Sequence, residues 1–198
     1  MIGILALQGD FATHARWLAR AGMRWTEVRG LSDLKSVDSL IMPGGESTTM
    51  LSLIDEEGLA APIRDMSLRG KAIFGTCAGA ILLAREVTGP CQPSLNLIDI
   101  KVERNAYGRQ VDSFIDKVEL VGGREIEGVF IRAPRILEVG PGVEILGEHK
   151  GDPVLVRQGN VLAATFHPEL SGGDDVRRVF LEIIGGGPEV DERLHGAA

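Results

Sequence analysis

Short apolar runs alternate with amphipathic stretches through the first half of the chain. Residues 2–7 form an apolar run, which is typical of a strand buried on both faces of a sheet. Residues 13–21 then place apolar side chains at three- and four-residue steps, and this spacing predicts an amphipathic helix that Gly22 ends. Residues 24–28 predict a second strand. This alternation indicates a parallel, doubly wound sheet.

The alternation continues up to Gly89-Pro90, where the helical pattern is lost. Strands are predicted at Ser39–Met42 and Ala72–Thr76, which are short and apolar. Helices are predicted at residues 47–57, which open with a Ser/Thr cluster, and at residues 78–86. We therefore expect crossover helices between neighbouring parallel strands.

In the second half of the chain, strands follow one another without intervening helices. They are predicted at residues 96–102, 110–120, 128–131, 136–139, 153–157 and 161–166, and at Glu144–His149. Gln158-Gly159-Asn160 has the turn residues of a hairpin. This half predicts a mixed or antiparallel extension of the sheet, closed by a helix at Asp174–Ile184. The expected fold class is α/β, a doubly wound, mostly parallel sheet in one domain over residues 1–184, with a flexible tail at residues 185–198.

Composition and charge exclude several classes of protein. The 198 residues are 44% hydrophobic and 25% charged, a balance that excludes intrinsic disorder. The net charge of −7 and the pI near 5.2 remove the attraction of a basic surface for phosphates, so no nucleic-acid partner is expected. No apolar run approaches the ~20 residues that cross a bilayer, and the N-terminus lacks a basic region, so neither a membrane partner nor a secretory signal is expected.

Cys77 and Cys91 are the two cysteines, and neither has the spacing of a metal ligand or of a CxxC motif. This usage suits a reducing compartment, where thiols stay free, so we expect a cytoplasmic protein without a metal ion. Cys91 has no surrounding motif and is predicted to be core or loop filler.

The motif Gly75-Thr76-Cys77-Ala78-Gly79 lies where an apolar strand meets a helix. It has the spacing of a nucleophile elbow with cysteine in the serine position. The flanking glycines permit a tight turn that presents the thiol at the carboxyl edge of the sheet, and the N-terminus of the helix favours the thiolate. The alternative is that Cys77 is a small buried hydrophobic residue, the commoner role of a cysteine.

A thiolate nucleophile needs a base that returns the proton to the leaving group and a third group that orients the base. His167-Pro168-Glu169 follows the apolar residues 161–166 and offers both. In an extended chain, a two-residue offset places both side chains on one side, so Glu169 is predicted to hydrogen-bond the His167 imidazole. The remaining histidines are predicted to be solvated surface residues: His14, His149 and His195.

The glycine-rich loop Pro43-Gly44-Gly45 follows the strand Ser39–Met42. Consecutive glycines let backbone N–H groups approach a ligand closely, so this loop is a candidate oxyanion hole that the N–H of Ala78 completes. The alternative is a simple turn with Ser47 or Thr48 as a helix cap. A phosphate-binding P-loop is excluded because the lysine of that motif is absent.

Six motifs occur in order along the chain. They are Leu7-Gln8-Gly9, Pro43-Gly44-Gly45-Glu46-Ser47-Thr48, Gly75-Thr76-Cys77-Ala78-Gly79, Glu103-Arg104-Asn105-Ala106-Tyr107-Gly108-Arg109-Gln110, Phe130-Ile131-Arg132-Ala133-Pro134 and Phe166-His167-Pro168-Glu169-Leu170. Together they resemble the class I glutamine amidotransferases and, among these, the family of glutaminase subunits of pyridoxal 5′-phosphate synthase. The resemblance runs from residue 2 to about residue 184, and six motifs in order are far more specific than the elbow alone.

The resemblance implies a flavodoxin-like sheet and the hydrolysis of L-glutamine to L-glutamate and ammonia. Cys77, His167 and Glu169 would form a catalytic triad, with an oxyanion hole at Gly45 and Ala78. In the family, the equivalents of six further residues contact glutamine: Gly45, Glu46, Ser47, Arg104, Ile131 and Arg132. No cofactor is expected. The resemblance also implies that ammonia passes to a synthase subunit, which docks at the carboxyl edge of the sheet in a large hetero-oligomer for vitamin B6 biosynthesis.

Three other functions share some of these residues. A DJ-1/PfpI-like chaperone or peptidase also has a cysteine elbow, but a histidine commonly follows that nucleophile, whereas Ala78 follows Cys77 here. The glutaminase of another amidotransferase, such as the one that serves imidazole glycerol phosphate synthesis, would share the chemistry, but the Thr-Cys-Ala-Gly elbow and the Glu-Arg-Asn segment argue against it. A non-catalytic binding module would have lost the reaction, and intact Cys77, His167 and Glu169 argue against that.

Overall fold

A computed structural model describes residues 1–104, 113–171 and 174–185. The helices in these ranges are α1 (Phe11–Arg20), α2 (Leu31–Lys35), α3 (Ser47–Glu56), α4 (Ala60–Leu68), α5 (Ala78–Leu83) and α6 (Asp174–Ile184). The strands are β1 (Ile2–Leu5), β2 (Trp25–Val28), β3 (Ser39–Met42), β4 (Ala72–Thr76), β5 (Ala84–Thr88), β6 (Ile98–Glu103), β7 (Phe114–Leu120), β8 (Glu125–Phe130), β9 (Arg135–Val139), β10 (Glu144–His149), β11 (Asp152–Gln158) and β12 (Val161–Ala164).

Nine strands form one sheet in the order β2-β1-β3-β4-β12-β11-β10-β7-β8. The pairs from β2 to β12 are parallel. The pairs from β12 outward to β8 are antiparallel. The predicted α/β class, with a doubly wound parallel sheet and an antiparallel extension, is therefore confirmed. Of the strand predicted at residues 110–120, residues 110–112 lie outside the described part of the chain.

Side chains alternate between the two faces of this sheet and build a separate apolar layer on each. Leu40 and Met42 of β3 pack in one layer with residues of α3, α4 and α5. Ile41, which lies between them, packs in the other layer with Trp17 of α1 and Phe180 of α6. Buried strands that present apolar side chains on both faces need helices on both sides. The crossover helices supply this cover.

The helix predicted at residues 78–86 is wrong in its last three residues. α5 ends at Leu83, and the chain continues directly into β5, which forms a second sheet in the order β5-β6-β9. Val87 is buried and β-branched, which favours a strand. Lys101 of β6 lies 3.1 Å from Glu86, so cross-strand charge pairing also supports this conformation.

The sequence prediction also omitted α2 and α4. α2 has only five residues, too few to show a helical period. α4 carries Pro62 in its first turn, where a proline costs no helical hydrogen bond. Its buried residues, Ile63 and Met66, are three positions apart and cover one face of the large sheet. In sequence, the proline obscured a helix that tertiary packing stabilises.

The carboxyl ends of β1, β3, β4 and β12 meet at one edge of the large sheet. Parallel pairing places Met42 opposite Gly75 and Thr76 opposite Ala164. The chain therefore leaves all four strands on the same side, which is where ligands bind in open α/β sheets. The segments that follow these strands hold Gln8, Gly44, Cys77 and His167.

At the C-terminus, α6 has its predicted bounds, Asp174–Ile184. The predicted flexible tail falls outside the described residues apart from Gly185. None of the helices in the described ranges is both long and apolar enough to cross a membrane.

Candidate active site

Cys77 occupies a strained turn between β4 and α5. Its φ of 49° and ψ of −104° put it in a region that residues other than glycine seldom adopt. Its N–H donates to the carbonyl of Ala164 at 2.8 Å, which ties the turn to β12. A side chain on Gly79 would collide with the Met42 carbonyl, so the glycine allows α5 to approach β3. The predicted strand-to-helix elbow is present, with Cys77 only 7% exposed.

His167 and Glu169 lie just beyond β12. The Nδ1 atom of His167 is 2.8 Å from Oε1 of Glu169, and both residues are buried. β12 ends at Ala164, and the Leu170 N–H donates to the His167 carbonyl at 3.2 Å, which closes a turn. The extended-chain argument for this pair is therefore wrong, because a turn brings the two side chains together, although the contact itself is present.

The charges around His167 favour its protonated form. Burial disfavours the imidazolium, but hydrogen bonds to Cys77 and Glu169, together with their negative charge, raise the pKa of His167 to about 10. Burial also disfavours the carboxylate of Glu169, yet the neighbouring imidazoles of His14 and His167 hold the pKa of Glu169 below its usual value. At neutral pH, His167 therefore holds a proton that it can give to a leaving group.

His14 was predicted to lie on the surface, and this is wrong. It is fully buried, and its Nε2 atom lies 3.0 Å from Oγ1 of Thr76 and 3.4 Å from Oε1 of Glu169. His14 shares the buried face of α1 with Trp17 and Leu18, three and four residues further on. That spacing was a sequence signal for burial, and the polar neighbours of His14 concealed it.

The other two histidines, His149 and His195, were also predicted to lie on the surface. His149 is also buried, at the end of β10, so that prediction is wrong as well. Its Nδ1 atom is 3.0 Å from the Lys117 carbonyl, and its ring packs on Phe114 and Phe130. His195 lies outside the described residues. Cys91 is exposed in the turn after β5, which agrees with its prediction as a loop residue.

The Gly44-Gly45 loop packs between the chain's first loop and His167. The Asp10 N–H donates to the Gly44 carbonyl at 3.0 Å, and the Glu46 N–H donates to Oε1 of Gln8 at 2.9 Å. A side chain on Gly44 would overlap the imidazole of His167. The loop therefore needs glycine in order to lie this close to the reacting groups.

Glu46 caps α3, rather than Ser47 or Thr48. Its carboxylate accepts from the Thr49 N–H at 2.8 Å, from Oγ1 of Thr49 at 3.0 Å and from Oγ1 of Thr48. Burial disfavours the charged form, but these hydrogen bonds lower the pKa of Glu46 to about 2. Its other oxygen, Oε1, lies 3.3 Å from Nη2 of Arg104. Glu46 and Arg104 thus form a charged pair next to the Gly44-Gly45 loop.

A small cavity of about 60 Å³ opens beside Cys77. It is lined by Gly45, Glu46, Ser47, Cys77, Ala78, Ile81, Arg104, Ile131 and Arg132. The cavity thus brings together the six residues predicted to contact glutamine, the predicted nucleophile and both residues predicted to form the oxyanion hole. His167 and Glu169 do not line it, and His167 reaches the site through Cys77.

Two strained residues face each other across this cavity. Arg132, like Cys77, has a positive φ, here 46°. The Cys77 thiol donates to the Ile131 carbonyl, with Sγ 3.7 Å from the oxygen. Strained backbone of this kind persists only where the surrounding structure enforces it, and it concentrates at functional sites. Residues 105–110 of the Glu-Arg-Asn motif lie outside the described part of the chain.

Residues 1–104, 113–171 and 174–185 contain no group of three or more His, Cys, Asp or Glu side chains that could hold a metal ion. The groups in the cavity and next to it are a thiol, two imidazoles, carboxylates, guanidinium groups and backbone N–H groups. These are the components of nucleophilic acyl transfer.

Comparisons with known proteins agree with this geometry. The chain is 50% identical over 188 residues to the pyridoxal 5′-phosphate synthase subunit PdxT of Koribacter versatilis, covering 94% of this chain and 96% of the relative. It is 51% identical over 187 residues to the subunit of the same name from Thermus thermophilus, covering 93% and 98%. A crystal structure of a glutamine amidotransferase superposes with a TM-score of 0.88 at 49% identity, covering 93% of this chain and 98% of that one.

The family model of the SNO glutamine amidotransferases matches residues 4–184, nearly the whole of the described chain. The match covers β3, β4 and β12 and the second half of β1, the four strands whose carboxyl ends form the candidate site. The chain belongs to the SNO glutamine amidotransferase family.

Proposed function

We propose that this chain hydrolyses L-glutamine to L-glutamate and ammonia, and that it supplies the ammonia to a pyridoxal 5′-phosphate synthase. The observation that carries the proposal is the cavity beside Cys77, which is lined by the residues that the family resemblance assigns to glutamine. The curated relatives named as subunits of pyridoxal 5′-phosphate synthase support the choice of partner. The two free cysteines suit a cytoplasmic location.

Glutamine carries an ammonium, a carboxylate and a neutral side-chain amide. Arg104 and Arg132 suit the carboxylate, since guanidinium groups pair with carboxylates through two hydrogen bonds, and Glu46 suits the ammonium. Nη2 of Arg104 lies 3.3 Å from Oε1 of Glu46 in the structure, and we propose that glutamine replaces this contact, so that each charge exchanges its protein partner for a substrate group.

The reaction follows from the placement of the three reacting groups. The Cys77 thiolate attacks the side-chain amide carbon, and the carbonyl oxygen becomes an oxyanion. The N–H of Ala78, which has no acceptor within α5 because it opens that helix, and the N–H of Gly45 stabilise this charge. His167 protonates the departing nitrogen, and ammonia leaves a thioester on Cys77.

Water completes the cycle. His167, now neutral, takes a proton from water as the oxygen attacks the thioester carbon, and the carbon–sulfur bond breaks to release glutamate and the thiolate. Glu169 holds Nδ1 of His167 and stabilises the imidazolium, which gives up its proton to the departing nitrogen and is formed again when His167 takes a proton from water. Each step uses a side chain or a backbone group of this chain alone.

The partner is proposed to dock at the carboxyl edge of the sheet in a large hetero-oligomer. There the Gln8 side chain already accepts the Glu46 N–H, so a partner that contacts Gln8 also contacts the glycine loop. We propose that docking orients the loop so that a backbone N–H faces the oxyanion. One such donor contributes about 10²–10³ in turnover.

Ammonia release across a titration with the cognate synthase tests both parts of the proposal. The isolated chain should be weakly active and should gain about 10²–10³ in turnover at saturation. An electrophilic glutamine analogue should label Cys77 and spare the exposed Cys91. Labelling of Cys91 alone would disprove the role of Cys77. Full activity without the synthase, unchanged at saturation, would disprove activation by docking and leave the chemistry intact.

A further inference from the structure

His14 is the second imidazole of the site, and the mechanism above gives it no role. It projects from the first turns of α1 into the space between the end of β4 and Glu169. Its side chain is completely buried, as is that of Glu169. His14 thus lies between Thr76, the residue before Cys77, and Glu169, the partner of His167. Packing alone does not require a histidine at this position.

The contacts of Glu169 show why this position matters. Among the described residues, the hydrogen bonds and ion pairs that its side chain makes with other residues involve only the imidazoles of His167 and His14, both through Oε1. The second oxygen, Oε2, is buried and has no hydrogen-bond partner in the described part of the chain. The orientation of this carboxylate therefore depends on two donors that share one oxygen.

The proton of His14 belongs on Nε2. An ionised carboxylate only accepts hydrogen bonds, so a bare Nε2 at 3.4 Å from Glu169 would direct a lone pair at a negative charge. Protonation at Nε2 lets the N–H donate to Thr76 Oγ1 at 3.0 Å, with the positive end of this dipole 3.4 Å from Glu169 Oε1. It leaves Nδ1, which has no partner among the described residues, as the unpaired acceptor.

His14 is neutral at physiological pH. The titratable groups that act on it are Glu169, His167 and Asp10. Burial lowers the pKa of His14, and the positive charge of His167 adds to this, so the attraction of Glu169 and Asp10 does not keep it protonated. His14 therefore presents Glu169 with an N–H dipole, not with a second full positive charge.

We propose that His14 is a positioning residue, whose Nε2–H holds the Glu169 carboxylate in place on Nδ1 of His167. The inference rests on the proposed glutaminase function. Asp10, the N-cap residue of α1, donates its N–H to the Gly44 carbonyl, so the helix that carries His14 is joined to the glycine loop. α1 therefore connects the Gly44-Gly45 loop, through Asp10, with the Glu169 carboxylate, through His14.

Three substitutions of His14 separate hydrogen bonding from packing. His14→Leu keeps an apolar volume and removes the donor. His14→Gln places an amide nitrogen near the position of Nε2 and keeps a donor toward Glu169, whereas the shorter side chain of His14→Asn cannot reach it. We expect His14→Leu and His14→Asn to lower kcat with synthase about 10- to 100-fold, the effect of one hydrogen bond to a charged group. KM for glutamine should change less than about threefold, and His14→Gln should recover most of the loss.

A second readout does not depend on turnover. The groups facing His167 are Cys77 and Glu169, so a carboxylate that loses its position should stabilise the imidazolium less. NMR titration of the His167 ring in the isolated chain should give a lower pKa in His14→Leu and His14→Asn than in the wild type. His14→Gln should titrate like the wild type.

His149→Leu is the matched control, because His149 is equally buried but contacts the Lys117 carbonyl and two phenylalanine rings instead. It should destabilise the fold without changing kcat or the titration of His167. Wild-type kcat and wild-type titration in folded His14→Asn would overturn the role of His14. A wild type that releases no ammonia with its synthase would overturn the proposed function, and the NMR titration would still decide whether His14 positions Glu169.

Discussion

The two sides of the cavity beside Cys77 are built from different kinds of structure. The reacting side, Cys77, His167 and Glu169, is 7%, 7% and 3% exposed and follows directly from two buried, hydrogen-bonded strands. The substrate side, Glu46, Arg104 and Arg132, comes from loops and a helix start, and the Glu46 side chain is 44% exposed. Reacting atoms tolerate little displacement, whereas charges that recognise a substrate can adjust to it. Substitutions on the two sides should therefore separate kcat from KM.

The largest effect is expected from Cys77→Ala, which removes the nucleophile and leaves the turn intact. Glutaminase turnover with synthase should fall by about 10⁴–10⁶, as when one member of a catalytic unit is lost. Thermal unfolding should change little, because alanine fits the space of the thiol. Cys91→Ala, at the exposed cysteine, should keep full turnover. Equal losses in the two variants would remove the distinction between the cysteines.

Glu169→Gln tests whether the buried carboxylate acts on the reaction through His167. The amide keeps the size of the side chain and removes its charge, so turnover should fall by about 10³–10⁴. KM for glutamine should change much less, because Glu169 does not line the cavity. Steady-state kinetics with saturating synthase measure both values. A variant with wild-type turnover would return Glu169 to a purely structural role.

Arg104→Gln tests the substrate side. Loss of a guanidinium that pairs with the substrate carboxylate should raise KM about 10- to 100-fold and leave kcat within a few-fold. Arg104→Lys keeps the charge but loses the paired hydrogen-bond geometry, so its KM should lie between those of the wild type and Arg104→Gln. A fall in kcat with unchanged KM would place Arg104 on the reacting side and contradict the division.

The smallest effect concerns stability at the substrate side. Burial and the hydrogen bonds of Thr48 and Thr49 act in opposite directions and leave the pKa of Glu46 at about 2, below its ordinary value of 4.5. A carboxyl with a lowered pKa stabilises the fold above its unfolded value and loses that contribution as the pH falls through the folded value. Glu46→Gln should lower the free energy of unfolding by roughly 1 kcal/mol at pH 7, as for loss of a helix cap.

Urea unfolding at a series of pH values tests this assignment. The difference between the wild type and Glu46→Gln should be constant above about pH 5 and should shrink from pH 4.5 towards pH 2. Glu57→Gln, at the exposed residue that follows the same helix, is the control for removal of a carboxylate. A difference that does not vary with pH would mean that Glu46 stabilises α3 without its charge.

The four central parallel strands of the large sheet, β1, β3, β4 and β12, were predictable because each is a short apolar run buried on both faces. Ser39–Met42 and Ala72–Thr76 have their predicted bounds for this reason. The end of α5 at Leu83 was not predictable, because β5 exists only through its pairing with β6. Secondary structure that depends on a distant partner leaves a weak local pattern.

The site divides in the same way. The elbow around Cys77 and the His-Pro-Glu segment are local patterns with a chemical reason, so the sequence pointed to them directly. Arg104 and Arg132 are two of 21 basic residues, and only the family resemblance singled them out. His14 was missed because its contacts with Thr76 and Glu169 join three distant segments of the chain.

Completion of the large sheet during folding depends on β12. β12 is the last strand in the chain, yet it occupies the centre of the nine-stranded sheet, between β4 and β11. Until β12 pairs, β4 and β11 each have an unpaired edge, and Cys77 is not yet next to His167. Contacts between such distant segments form slowly, because loop closure precedes the gain from pairing. We expect glutaminase activity to be among the last signals to return after denaturation. The rate of its recovery should therefore report how fast the sheet is completed.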